Sequence, residues 1–140
     1  MISYDHRVKV YYKDVDKMGI VYYSRYFEYF EASRTELLAS IGLGVTEVEE
    51  KGIMLPVISS HCDYSIGAMF EQKITIRASI SSIPRSKLHI DYRVFLDDHK
   101  DTLVNGYTEH AFVNDKGVAV RAPRNILDCL YQKGLEPVGK

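Results

Sequence analysis

The 140-residue chain has no tryptophan and only two cysteines. Cys62 and Cys129 stand far apart and form no CxxC spacing, so a zinc or redox motif of that kind is excluded. Both are expected as reduced, buried packing residues. No apolar run approaches the roughly 18–20 residues that a membrane-spanning helix needs. The opening MISYDHRVKVYY has no apolar stretch of the secretory kind. A cytoplasmic protein without membrane insertion is expected. Neither sign of charge dominates: 18 Lys and Arg stand against 19 Asp and Glu, a net charge of −1. That balance offers no basic field to nucleic acid and no acidic, disordered tail. Repeats, low-complexity stretches and linkers are also missing, so residues 1–140 read as a single domain.

What the chain does have is apolar residues at 46% and eleven tyrosines. The first suffices for a core; the second suits half-buried surfaces and interfaces. Val8, Val10 and Tyr12 alternate with Arg7, Lys9 and Lys13, which predicts a half-buried first strand. Asp14–Gly19 breaks that alternation as a turn. Tyr22, Tyr26, Phe30, Ser33, Leu37 and Ile41 then recur every three or four residues, predicting a long amphipathic helix that ends near Gly42 or Gly44. A short helix, TEVEEKG, follows, with Thr46 as its cap. Ile53–Ile58 is a continuous apolar run, expected as a strand buried on both faces and continued by Ser60, Cys62 and Tyr64. Alternation over 73–80 and 87–94 predicts two strands joined at Pro84 and Ser86. Asp97–Lys100 is a turn, Leu103–Val113 a strand, Asn114–Gly117 a turn, and Val118–Ala122 a short strand. Pro123 opens a C-terminal helix running to about Tyr131. Strands joined by short turns pair antiparallel, and only one helix is long enough to cover the sheet. The expected architecture is α+β: about five to six antiparallel strands wrapped around one long central helix. Its uncovered face and its edges call for a second copy of the chain.

The segment from Tyr11 to Tyr23 runs from a strand end through a glycine turn into the start of that helix. Helix starts present unpaired N–H groups and a positive dipole end, which can stabilise an oxyanion in acyl transfer. A carboxylate just upstream can act as nucleophile or general base. Gly19 allows close backbone approach to a substrate. Taken alone, D-x-D-x-x-G reads more readily as a polar turn, since aspartate favours turns.

The same segment resembles the 4-hydroxybenzoyl-CoA thioesterase family of hotdog enzymes, whose motif D-x-x-G-[IV]-V-[YW]-[YH]-x-x-[YF] stands here as DKMGIVYYSRYF, Asp16 to Phe27, with Tyr26 at its final aromatic position. FEASRTELL is similar to a stretch of the Tol–Pal-associated acyl-CoA thioesterase branch, and DYSIGAMFEQKITI and PRSKLHIDYRV look like later family segments. The resemblance implies a hotdog fold and hydrolysis of an acyl-CoA thioester to free acid and CoA. Asp16 stands at the catalytic aspartate, as nucleophile or through water. The backbone N–H of Tyr23 stands where the thioester carbonyl is polarised, and Gly19, Ile20, Val21 and Tyr22 line the substrate. Arg85, with Ser86 and Lys87, is expected at the CoA phosphates, where arginine favours forked hydrogen bonds; Arg121 and Arg124 cluster near the same turns. No metal or redox cofactor is implied. A homodimer or homotetramer is implied, with Asp16 of one chain meeting the Ile58–Tyr64 region of its neighbour. Three positions depart from the pattern: Tyr23, where the Tol–Pal branch usually has histidine; Gly67 for the usual proline; and Gln72 for the usual aspartate.

Two rival readings remain. A hotdog dehydratase would place a histidine near the helix start, but none lies between His6 and His61. A non-catalytic acyl-binding module would not need the Asp16–Gly19 pair. His61 and Asp63 share a strand face, an arrangement that alternation alone explains, and neighbouring side chains on a strand point apart, which makes His61-Cys62-Asp63 a poor metal site. His6, His89, His99 and His110 fit no zinc spacing. The stripe of Tyr22, Tyr26, Tyr29 and Phe30 is expected as core, part of it lining an acyl pocket.

Overall fold

A computed structural model of the chain describes residues 1–98 and 101–136. Strand β1 covers Ile2–Lys9, followed by a 3-10 turn at Tyr12–Asp14. Helices α1 and α2 span Arg25–Ser40 and Val45–Glu50. The strands β2 to β7 are Ile53–Met54, Val57–Tyr64, Lys73–Ile80, Lys87–Leu96, Thr102–Asn114 and Ala119–Val120, and helix α3 is Arg124–Gln132. The sheet is antiparallel throughout. Its main order is β1-β4-β5-β6-β3, and the two-residue strands β2 and β7 attach to the far end of β6. The expected five to six strands become seven because the strand expected from Ile53 on is divided into β2 and β3.

Helix α1 lies against β1 and β4. Tyr26, Tyr29, Phe30, Ser33, Leu37 and Leu38 are its buried residues. They meet Ile74, Ile76, Ala78 and Ile80 of β4 and Leu88, Ile90, Tyr92 and Val94 of β5 in one core. Phe30 stacks on Tyr92, ring centroids 4.3 Å apart. Ser33 Oγ donates to the Ile76 carbonyl at 3.1 Å, a contact that requires helix and strand to lie close. Gly106 permits the same closeness on β6. A Cβ there would stand 2.5 Å from the His61 carbonyl and 2.6 Å from Phe30 Cε2, so only glycine fits. The helix stops where Gly42 turns to φ +83° and Leu43 N–H donates back to the Leu38 carbonyl, a glycine stop of the Schellman type.

Several expectations are corrected. The first strand begins six residues earlier than Val8 and ends at Lys9; Tyr12 lies in the 3-10 turn with its ring exposed. The central helix starts at Arg25 rather than Tyr22, because Val21 and Tyr22 donate their N–H groups to the Ala68 and Asp14 carbonyls. The run Ile53–Ile58 is not one buried strand. Leu55-Pro56 interrupts it, proline having no N–H to give a ladder, and β3 is an edge strand with Val57 and Ile58 exposed. Lastly, the sheet face turned away from α1 is not apolar. Arg77 forks onto Asp5 at 2.7 and 2.9 Å. Phe95 is covered by the guanidinium groups of Arg77 and Arg93. Tyr107 is sandwiched between the rings of His61 and His89. The short helix is capped by Gly44 rather than Thr46. The strands over 73–80, 87–94 and 103–113 and the helix after Pro123 stand where alternation and proline place them, while His99 and Lys100 of the Asp97–Lys100 turn lie outside the described residues. Cys62 and Cys129 are free thiols, half-buried.

Candidate active site

Residues 14–22 fold back on themselves as a small hairpin at the start of α1. Asp16 N–H donates to the Ile20 carbonyl at 2.9 Å, Gly19 N–H to the Asp16 carbonyl at 3.0 Å, and Tyr22 N–H to the Asp14 carbonyl at 2.8 Å. Gly19 takes φ +79°, the left-handed conformation that glycine adopts without strain. The carboxylate of Asp16 closes an Asx turn, accepting Met18 N–H on Oδ1 at 2.8 Å. Its Oδ2 has no partner among the described residues.

Segment 67–72 braces the hairpin from behind. Ile20 bridges Met69, Val21 donates to the Ala68 carbonyl, and Phe70 N–H donates to the Gly19 carbonyl. Gly67 is explained here: a Cβ would meet Cβ and Cγ2 of Ile20 at 3.0 Å. Proline carries a Cβ, so a glycine lets this chain seat Ile20 closer. Gln72 holds the turn that follows, accepting Met69 N–H on Oε1 at 2.8 Å while its backbone bonds Val10 and Met69. Glu71 in that turn has φ +73°.

Tyr23 follows the hairpin two residues before α1, its side chain 59% exposed. Its N–H donates to no described residue. Its carbonyl accepts the Tyr64 hydroxyl at 3.1 Å. The rings of Tyr22 and Tyr23 are 4.7 Å apart. The Tyr22 hydroxyl pKa is raised, first by the Tyr23 hydroxyl beside it and last by the Asp16 charge. The carboxylate, the glycine turn and the unpaired N–H therefore lie together on the hairpin and its exit, with Asp16, Gly19, Ile20, Tyr22 and Tyr23 at least partly exposed, whereas Val21, expected to line the substrate, is buried in the core. Tyr22 is exposed there rather than part of the core. Tyr64, a β3 residue, reaches this surface within the same chain and rests on Tyr26 at 5.6 Å.

Arg85, Ser86 and Lys87 are exposed at the turn between β4 and β5. Lys73, next to the Gln72 turn, lies at the other end of β4, which at about 3.3 Å per residue places the two regions roughly 26 Å apart. Within one chain they do not meet. Arg85 and Arg121 line one pocket of ≈ 220 Å³ with Pro84 and Tyr131, and the Arg85 carbonyl accepts Ala122 N–H at 2.7 Å. Arg124 is engaged elsewhere, on Asp128 at 3.1 Å. His61 bonds Asp63 at 3.0 Å on the outer face of the sheet, apart from the hairpin.

Two features went unread in the sequence. The first is Asp14, expected as a plain turn residue but only 3% exposed. Its carboxylate accepts Tyr11 N–H at 2.9 Å and Lys13 Nζ at 3.1 Å, with Arg25 Nε 4.0 Å away. Burial works to raise its pKa, yet the Tyr11 and Lys13 bonds and the Lys13 charge outweigh it and hold the carboxyl below the usual range. The second is a cavity of ≈ 360 Å³ beyond the first turn of α1, lined by Arg34, Leu38, Val48, Ile53, Leu88 and His110 among others. A hydrogen-bond chain runs along its wall. Arg34 Nη1 lies 3.5 Å from the Tyr92 hydroxyl, Tyr92 bonds Thr108 at 2.7 Å, Thr108 bonds His110 Nε2 at 2.9 Å, and His110 Nδ1 donates to the Leu55 carbonyl at 3.0 Å. Burial lowers the His110 pKa, which favours the neutral ring this chain needs.

Comparison with known proteins identifies the family and the fold. Residues 10–130 match the Thioesterase-like superfamily. A hypothetical protein of Thermus thermophilus superposes with a TM-score of 0.84 at 30% identity, covering 91% of this chain and 97% of that one. A structure titled a probable thioesterase, from Bartonella henselae, gives 0.78 at 27% identity over 86% and 99%. The acyl-CoA thioesterase YbgC of Haemophilus influenzae is 30% identical over 88 residues, 62% of this chain and 65% of its own. The chain is thus a member of the Thioesterase-like superfamily, with the hotdog fold of its neighbours, and is a thioester hydrolase.

Proposed function

We propose that this chain hydrolyses acyl-CoA to free acid and CoA in one hotdog domain spanning residues 1–140. The observation that carries the reading is the shared surface of the Asp16 carboxylate, with Oδ2 unengaged, and the unpaired Tyr23 N–H. The thioester carbonyl sits against the Tyr23 N–H, which stabilises the oxyanion as it forms. Asp16 Oδ2 attacks the carbonyl carbon, or takes the proton of a water that does so. The C–S bond breaks and the sulfur leaves as thiolate, protonated to CoA-SH. Water supplies the second carboxyl oxygen, so the balance needs no metal or redox cofactor. The names of relatives such as YbgC support acyl-CoA as the substrate, and the DKMGIVYYSRYF motif supports kinship with the 4-hydroxybenzoyl-CoA branch.

Arg85, Ser86, Lys87 and Arg121 are the proposed seat of the CoA phosphates. Because they stand a strand's length from Asp16 in one chain, the reading places them on a partner. A homodimer, or a homotetramer built from it, joins the exposed edge of β3 to its copy, and such a dimer acts in the cytoplasm.

A panel of acyl-CoA thioesters assayed by free-thiol release tests the function. Release of CoA from at least one aliphatic or aromatic acyl-CoA is expected. Loss of water from a 3-hydroxyacyl-CoA without thiol release would make the protein a dehydratase, and binding without turnover would make it a carrier module.

A further inference from the structure

The chemistry proposed above leaves the ≈ 360 Å³ cavity unused. Arg34 on its wall stands nine residues beyond Arg25, roughly 14 Å along α1 from the hairpin exit. The volume is that of a small-molecule site, and such sites are apolar clefts with a few placed polar groups. Leu38, Val48, Ile53 and Leu88 are the buried apolar wall, while Val45 and Met54 are exposed on the open side. Set into that wall are the half-buried Arg34 and His110, which is 3% exposed.

The hydrogen-bond chain between these two residues has one direction. The Leu55 carbonyl can only accept, so His110 Nδ1 carries a proton. Burial disfavours the charged ring, which leaves Nε2 as an acceptor, and the Thr108 hydroxyl donates to it. Thr108 Oγ1 then accepts the Tyr92 hydroxyl. Tyr92, stacked on Phe30, presents its own oxygen lone pairs to Arg34. Each hydroxyl proton is committed along the chain, which ends on a guanidinium with five N–H donors and one long contact, 3.5 Å. No described carboxylate lies within ion-pair distance of Arg34, whereas Arg25, Arg77 and Arg124 each hold one. A carboxylate matches the guanidinium fork. Glu31 and Glu49, exposed on the open side, repel a second anion there. The fitting ligand is therefore negative at one end only. We propose that the cavity binds a small free monocarboxylic acid, its carboxylate on Arg34 and its apolar body against Leu38, Val48, Ile53 and Leu88. Thioester hydrolysis releases acids of this class, whereas the CoA phosphates would meet the acidic mouth. The site stands apart from Asp16 and Tyr23, so the inference holds whether or not those residues perform the hydrolysis.

Amide chemical shifts of the nitrogen-15-labelled protein, titrated with sodium hexanoate near neutral pH, test the site, with hexan-1-ol and adipate as comparisons. Saturable shifts are expected at Leu38, Val48, Ile53 and His110, with a dissociation constant on the order of 1 mM for a ligand of this size. Hexan-1-ol lacks the charge and adipate carries a second one to the mouth. Both should bind at least about tenfold more weakly, the scale of one charge-assisted hydrogen bond. Arg34→Met keeps the helix and much of the apolar stem. It should weaken hexanoate at least about tenfold and leave hexan-1-ol within about twofold. Arg34→Lys, a charge without the fork, should fall between. Hexanoate shifts confined to Asp16–Tyr23, or no saturation by about 50 mM, overturn the site. Hexan-1-ol or adipate binding as tightly as hexanoate overturns the carboxylate assignment. Should Arg34→Met fail to fold, the three ligands on the parental protein decide. Asp16→Asn is expected to give the parental titration, so binding at the cavity and loss of turnover in that variant are read separately.

Discussion

Replacing Asp16 with asparagine removes one charged oxygen and little else. Asparagine keeps an Oδ1 able to accept the Met18 N–H that Asp16 now holds at 2.8 Å, and it favours the same turn. The backbone bonds to Ile20 and Gly19 do not involve the side chain. Because Oδ2 engages no described residue and the side chain is half-exposed, no buried partner is orphaned. A substitution of this kind changes stability by up to about 0.5 kcal/mol, a Tm shift of about 2 °C or less for a chain this size. The rate should respond differently. An amide neither attacks a thioester nor accepts a proton from water, so the barrier loses the whole contribution of that group. A fall of at least roughly 10²-fold in kcat/KM is expected, equivalent to about 2.7 kcal/mol. Thiol release under steady-state conditions measures the rate, and a thermal melt of the same preparation shows that the fold persists. An Asp16→Asn protein with parental melt and parental turnover would refute the assignment, whatever its substrate preference.

The remaining expectations probe other parts of the molecule. Arg85→Ala with Lys87→Ala should raise KM for acyl-CoA more than it lowers kcat, with the difference shrinking at high salt; an unchanged KM moves the phosphates elsewhere. Gly106→Ala should destabilise by about 1–3 kcal/mol through overpacking against Phe30 and the His61 carbonyl, read as a lower denaturation midpoint; a parental midpoint would show that the helix moves away freely. Burial depresses the His110 pKa, so the unfolded chain takes up the proton first and stability is lost as pH falls below about 6.5. His89 has the opposite sign: burial lowers its pKa, but Asp91 and Glu109 outweigh that and raise it, so its contribution is present at low pH and lost as pH rises. His89→Asn should therefore steepen the fall in Tm between pH 7.5 and 5.5, and an unaltered profile would refute that pairing. Solution mass should be that of a dimer or a multiple of it, and a fully active 16 kDa particle would rule out a site shared between chains.

Much of the fold was legible because side-chain period reports directly on burial. β4, β5 and β6 alternate apolar and polar residues, and the structure places them where that alternation does. The Tyr26–Ile41 stripe likewise marks the buried side of α1. Reading failed where backbone pairing overrode the pattern. Ile53–Ile58 is apolar throughout, yet a composition-based reading cannot separate a strand buried on both faces from an exposed edge. Pro56 carried the missing signal, since proline in such a run demotes it to an edge. The outer face of the sheet was misread for a related reason. Alternation marks only the polar half of each single strand, whereas the pairing of residues such as Arg77, His89, Asp91, Tyr107 and Glu109 across strands into bonded and stacked sets appears only once the register is known.

The candidate site divides along the same line. Asp16, Gly19 and Tyr23 were legible because they lie within eight residues of one another, and a local turn forces them together whatever the rest of the chain does. Asp14 carries the same side chain as Asp16 two positions away, and no local rule separates a carboxylate that faces solvent from one that faces the core. The distinction is made by Tyr29, fifteen residues on, and by Arg25, both on α1. A carboxylate on the inner side of a hairpin that lies against a helix must find donors there or be protonated. Tyr11, Lys13, Arg25 and Tyr29 crowd that side, while the outer side offers Asp16 only the Met18 N–H. The pair of aspartates is thus divided, one bonded inward and the other half-exposed, by which side of the hairpin each occupies, and alternation along residues 14 to 16 would by itself put both on the same side. The break in alternation comes from the 3-10 turn at Tyr12–Asp14, which rotates Asp14 inward before the extended residue Val15.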